Sequence, residues 1–377
     1  MSHINARRLE LVSLPPEILH LIANAYITDL DPSSNNITSV LSTCKLFHDL
    51  FVPKFYSSIC IYSVDQLSRF VSPTSGAHTF CPLYTLNSLT INIPGVPGGG
   101  DGTLPFTTAA AHMSRSRDHL RDRLLLASRA LSLCPSVQQV SLEFFSIRHS
   151  EILTSDEFRA TEASAFENAI RGLKRVKHLR WVPPSCDANA IVGLSIVIVD
   201  QVIPALAKGL VGCAELETLE LWNAMLPLAG GAELAKSLIH ISTNRAREVH
   251  RSGPTLNLRS VTGLDPKTVS DLALASPPVK VNIADGFIGS IWGARIDKLA
   301  VEECMRDALD LNSGSSSSSS SSSSAGSTPS SSEASSIATS RATTPELLIQ
   351  DTLAKASENV RIRVLQGGIA GSKMMGH

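Results

Sequence analysis

The sequence predicts a mixed helix and strand chain of α+β or α/β class: a small helical module at the amino end, then an irregular array of alternating helices and short strands. Three observations predict it. Apolar residues recur at helical spacing between Leu14 and Phe51. Aliphatic residues at i, i+3 and i+5, with tryptophan once in the last place, recur four times between residues 86 and 221. Ser313 to Ser340 is mostly serine, including ten consecutive serines from Ser315 to Ser324, and has almost nothing to bury.

Length and composition bound the function. The 377 residues are 43% hydrophobic, which suits two or three units with buried cores. Lys plus Arg number 33 and Asp plus Glu 34, a formal charge of -1. That balance weighs against a protein whose main work is gripping nucleic acid or an anionic membrane, since both need a basic excess. The seven cysteines are scattered, with no C-x-x-C pair, as suits reduced thiols in the cytoplasm or nucleus rather than a disulfide framework. Only Cys44 with His48, and His78 with Cys81, stand close enough to suggest a zinc site, and Cys44 belongs to an apolar helical stripe. No metal or cofactor is expected. Met1 to Arg8 lacks the apolar core of a secretory signal. The apolar run Ala190 to Val199 is about half of the ~20 residues a bilayer crossing needs.

The first helix opens at Leu14-Pro15-Pro16-Glu17, since proline suits a first turn and an acidic side chain suits the positive helix end. Ile18, Leu19, Ile22, Ala25 and Tyr26 then form one apolar face. Turn residues from Asp29 to Asn36 end it. A second stripe, through Ile37, Val40, Leu41, Cys44, Phe47 and Phe51, is expected as two short helices broken at Pro53. Ile59 to Tyr62 reads as a strand. Three short helices make a thin core, so their apolar surface belongs against either a partner or the rest of the chain. Periodicity alone leaves both open.

Leu14-Pro15-x-Glu17-Ile18-Leu19-x-x-Ile22, Val40-Leu41-x-x-Cys44-Lys45-x-Phe47-x-x-Leu50 and Pro53-x-x-Tyr56-x-x-Ile59 together resemble the F-box, particularly that of fungal F-box proteins. The resemblance covers residues 11 to 62, across three elements. A long polar loop, Asp31 to Asn36, and His48-Asp49 depart from the family pattern. The resemblance implies docking to a Skp-type adaptor and, through it, to a cullin. Carried over by position, the adaptor contacts are Leu14, Pro15, Ile18, Val40, Leu41, Cys44 and Lys45. Ile22 and Phe47 are expected inside the module.

Beyond residue 63 the repeat begins. Leu86-x-x-Leu89-x-Ile91, Val137-x-x-Val140-x-Leu142, Val176-x-x-Leu179-x-Trp181 and Leu216-x-x-Leu219-x-Leu221 place the i+3 and i+5 side chains on one face of a short strand. Leu256-x-Leu258 and Val279-x-Val281-x-Ile283 are weaker echoes. Helical stripes precede several strands: Leu120, Leu124, Ala127 and Leu131 before Cys134; Phe166, Ala169, Ile170 and Leu173; Ile203, Leu206, Leu210 and Cys213. Such units bury a core only by stacking, and the pattern resembles a degenerate leucine-rich-repeat array with long, irregular units. An α/β domain with a parallel sheet and no true repeat remains the alternative.

The expected domains are therefore an F-box-like module at 11–63, a repeat array at 64–310, a disordered serine-rich insertion at 311–343, and a segment at 344–377 that returns to close the array. In that last segment Thr344-Pro345-Glu346 starts a helix, and Val360 to Val364 alternate as a half-exposed strand.

No motif carries bond chemistry. The loop Gly95 to Gly102 lacks the phosphate-binding lysine, and Gly286 to Gly293 lacks G-x-S-x-G spacing and reads as a turn. The basic stretch Arg115, Arg117, Arg121, Arg123 and Arg129 is interleaved with Asp118 and Asp122, as on a solvated helix face. Thr328-Pro329 and Thr344-Pro345 are candidate proline-directed phosphorylation dipeptides in chain expected to be unstructured. The expected role is the non-catalytic, substrate-recognition subunit of a cullin-RING ubiquitin ligase, with the array holding a protein substrate. A non-ligase scaffold with the same fold is the alternative; an α/β enzyme with a dispersed site has no positive support. Substrate-binding positions are not assigned, and Trp181, Trp222 and Trp292 suit core or contact equally.

Overall fold

The computed structural model describes residues 14–29, 42, 44–72, 86–93, 123–144, 160–182, 202–226, 228–249, 252–289, 293–314 and 345–364. The chain divides into two compact units, Met1–Val197 with Gly212–Leu216, and Ile198–Val211 with Glu217–His377. Both are α/β, and the strands of each pair in parallel.

The first unit carries α1 (Pro16–Asp29), α2 (Lys45–Phe55), β1 (Ser58–Ile61), α3 (Val64–Val71), β2 (Ser88–Ile93), α4 (123–133), β3 (Gln139–Phe144), α5 (Ala160–Arg171) and β4 (His178–Val182). The carbonyl of Pro15 accepts from the Ile18 and Leu19 amides at 3.0 and 3.1 Å and starts α1. Two expectations are corrected here. Pro53 does not break α2, which runs on to Phe55. A proline so near the end removes one hydrogen bond, and the Tyr56 amide still reaches the Val52 carbonyl at 3.0 Å. Ile22 is not internal: α1 buries Leu19 and Ala23, an i, i+4 pair, and this turns Ile22 to the flank. The helix expected before Cys44 and the side chain of Phe47 lie outside the described residues.

β1 to β4 pair in sequence order, and parallel neighbours require a crossover between them, supplied here by helices. Register turns the sequence repeat into rows. Leu89, Val140 and Leu179 stand side by side, as do Ile91, Leu142 and Trp181, and all six are buried. Leu86, Val137 and Val176, the first places of the motif, are buried too. The approach to each strand also repeats: the Asn87 carbonyl takes the Gln138 and Gln139 amides, and the Gln138 carbonyl takes the Lys177 and His178 amides, at 2.7–3.0 Å. Phe166 of α5 meets Trp181 edge-on at 5.7 Å, so Trp181 belongs to the core.

The cysteines after the helical stripes are structural. Cys134 and Cys213 are buried, and the Cys213 thiol donates to the Ile170 carbonyl at 3.3 Å. Burial pushes this thiol up to about 12. Because the folded state holds the proton more tightly than the unfolded chain, the stabilisation is whole below the ordinary thiol range of about 8.5 and is lost as pH climbs from there toward the folded value. Urea midpoints should therefore fall as pH rises through that window, with a slope of at most about 1.4 kcal/mol per pH unit. Cys213→Ser should show a shallower fall.

The second unit carries α6 (Val202–Leu210), β5 (Thr218–Trp222), α7 (Leu228–Val249), β6 (Thr255–Val261), α8 (Pro266–Leu274), β7 (Lys280–Gly286), α9 (Lys298–Gly314), α10 (Pro345–Glu358) and β8 (Val360–Arg363). Asp265 caps α8 by accepting from the Lys267 amide at 3.2 Å with Pro266 at the first turn, and Asp297 caps α9 through the Ala300 amide at 2.7 Å. Leu219, Leu256, Val281 and Val360 form one buried row. Leu221, Leu258, Ile283 and Ile362 form the next. β8 pairs directly with β7, and α10 is tied to α9 by the Ser357 hydroxyl on the Glu302 carboxylate at 2.5 Å. After β7, Phe287 forms an isolated antiparallel bridge with Arg295; of the turn expected at Gly286 to Gly293, Ser290 to Trp292 lie outside the described residues.

Parallel sheets usually have both faces covered. Here the inward rows are apolar and, apart from half-buried Ile362, buried, while the alternate positions Thr218 to Trp222, Thr255 to Arg259, Lys280 to Ala284 and Arg361 to Arg363 are mostly polar and at least partly exposed. The result is a partly exposed sheet face.

Candidate functional site

Among the described residues, each unit offers a candidate surface. In the first, α1 and α2 pack through aromatic contacts: Tyr26 meets Phe51 edge-on at 5.9 Å, and Phe51 stacks on Phe55 at 6.0 Å. Lys54 ties α2 to α1 by donating to the His20 carbonyl at 2.9 Å and to the Asn24 side chain. With Leu19, Ala23 and Phe51 in the interior, α1 turns a second apolar set outward: Ile18 is 42% exposed, Leu21 63% and Ile22 38%. A single exposed leucine is unremarkable, but three within five residues on one helix leave an apolar strip in water.

Of the residues predicted to meet an adaptor, Pro15 and Ile18 are exposed at the start of α1, with Leu14 half-buried before them. Cys44 is half-buried at the N-cap of α2, where its side chain makes no capping bond, and Lys45 is exposed in the first turn. These five thus lie in, or immediately before, the first turns of two packed helices. Val40 and Leu41 lie outside the described residues, as do His78 and Cys81. His48, four residues after Cys44, pairs with Asp49 at 3.3 Å. Among the described residues no three His, Cys, Asp or Glu side chains converge as a metal would need. No helix among them is long and apolar enough to cross a membrane.

In the second unit the outward positions of β5 to β8 line an open cleft of about 300 Å³. Glu220, Asn257, Asn282 and Arg361 stand in one row, and Trp222, Arg259, Ala284 and Arg363 in the next. The Arg259 guanidinium lies 4.4 Å from the Trp222 ring centre, and the indole N–H donates to the Glu220 carboxylate at 2.7 Å. Asn282 donates to Asn257 at 2.8 Å. Sequence reasoning left Trp222 undecided and did not single out Arg259, Arg361 or Arg363. The signal was present: once Leu219 and Leu221 face inward, Glu220 and Trp222 must face outward. In the first unit the matching face carries Glu143, which accepts from Asn92 at 2.9 Å and Ser141 at 2.8 Å.

Of the basic stretch at 115–129, Arg123 and Arg129 are described; Arg129 is exposed on α4. Arg123 is half-buried, and desolvation lowers its affinity for its proton.

No protein-family model, curated protein or solved structure matches this chain.

Proposed function

We propose that this chain recruits protein substrates to a cullin-RING ubiquitin ligase. The helical module at residues 11–63 is an F-box that docks a Skp-type adaptor, and the helix and strand array that follows is an irregular leucine-rich-repeat-like solenoid that holds the substrate. The observation that carries the reading is the outward apolar strip of Ile18, Leu21 and Ile22, beside Pro15, on a helix whose other face is already packed. The parallel rows of buried aliphatic residues support the repeat.

On this reading the chain performs no bond chemistry. Its effect is to raise the concentration of a substrate lysine near a charged conjugating enzyme, a gain set by tethering rather than by new contacts. A tagged Leu14→Ala/Pro15→Ala variant should lose co-purification with both adaptor and cullin while its melting temperature stays near that of the parent chain. Undiminished recovery of adaptor would remove the proposed interface. Recovery of adaptor without cullin from the unaltered chain would turn the reading toward a scaffold outside the ligase.

A further inference from the structure

The outward positions of β5 to β8 carry Arg259, Lys280, Arg361 and Arg363 against the single carboxylate of Glu220, in a chain whose formal charge is -1. All four cations are exposed. These strand positions therefore carry a local basic excess. We propose that this face binds an extended acidic segment of a partner protein, its carboxylates seated among these cations. The proposal rests on the reading above and deepens it by naming the chemistry of the substrate.

Register explains why the face suits carboxylates. Arg259 and Arg363 flank Ala284 in one row, two strand spacings or about 10 Å apart. Ala284 has no side chain beyond its β carbon, so the surface between these two arginine positions is floored rather than filled. A carboxylate seated there has an arginine position on either side, and Arg361 supplies a second station one row along the same strand. The guanidinium of Arg259 is held in place by its stack on Trp222, which lowers the entropy lost when an anion binds. The Asn257 and Asn282 amides satisfy each other through one hydrogen bond and keep further donors and acceptors for a peptide backbone. Several separate monovalent stations match alternate side chains of an extended peptide better than one compact ligand.

Single-stranded nucleic acid fits less well. Such binding uses successive aromatic platforms, and these rows hold one indole, already covered on one face by Arg259.

The test is fluorescence anisotropy of the full chain with labelled hexaglutamate, a neutral glycine-serine peptide and an oligothymidylate. Hexaglutamate should bind at least about tenfold more tightly than the neutral peptide and weaken several-fold between about 50 and about 300 mM salt. Arg361→Glu/Arg363→Glu should reduce hexaglutamate affinity by about tenfold or more, and Arg361→Lys/Arg363→Lys should retain most of it. Arg259→Gln, on a different strand, should also weaken it. Hexaglutamate affinity equal to that of the neutral peptide, or unchanged in the charge-reversed pair, would overturn the proposal. Tighter binding of the oligothymidylate, lost in the same variants, would overturn it in favour of nucleic acid. Adaptor binding of the same variants is measured alongside; it should be intact, so a failed adaptor interface and a failed peptide site give different patterns.

Discussion

Gly212→Ala should destabilise the fold by about 2–4 kcal/mol, whereas Gly172→Ala, at the end of α5, should change it by less than about 1 kcal/mol. An added β carbon at Gly212 would sit almost on the Arg171 carbonyl oxygen and 2.9 Å from the Arg171 α carbon. Both are backbone atoms, so relief requires the turn around Gly212 to part from the end of α5. At Gly172 the nearest atom would be the Ala169 carbonyl oxygen at 3.3 Å, which a shift of tenths of an ångström relieves. Replacing glycine by alanine otherwise stabilises by about 0.4–1 kcal/mol, through a less disordered unfolded chain. Contact therefore decides the sign. Urea midpoints of the two variants measure it, and equal midpoints would show that the turns are not packed as described.

That close approach also indicates what the sequence made legible. The i, i+3, i+5 spacing identified the inward rows because each place is satisfied locally: Leu89 and Ile91 stand on one face of a single strand, and Leu86 lies two residues before that strand begins. The motif fades at β6 for a physical reason. Its first place is Gly253, where a β carbon would collide with the Ser242 hydroxyl and the Pro278 carbonyl, so no leucine fits. The alternation of Val360 to Arg363 was likewise readable, because strand periodicity needs no partner.

What needed the structure was distance along the chain. Arg259 stacks on Trp222, and Arg363 faces it across Ala284, only after β5 to β8 are set in register. No local pattern predicts that. Ile22 was misplaced for a related reason. A stripe containing Ile18, Leu19, Ile22 and Tyr26 looks like one face, but α1 packs through Leu19, Ala23 and Tyr26 and leaves Ile18 and Ile22 outward.

Ile18→Asp should abolish the proposed adaptor interface while leaving the module folded. Ile18 is already 42% exposed, so a carboxylate there stays hydrated in the free chain. Inside an apolar interface the same carboxylate loses water without gaining a partner, which costs about 3 kcal/mol or more, a loss of at least about a hundredfold in affinity. Leu19→Asp, at a buried position of the same helix, should instead unfold the module. The contrast separates a lost contact from a lost fold.

The most direct test of the account is a calorimetric titration of the purified full chain with a purified Skp-type adaptor, repeated with Ile18→Asp. Saturable one-to-one binding by the parent chain, and no measurable binding by a folded Ile18→Asp variant, is the predicted result. No binding by the parent chain, or equal affinity for both, would contradict it.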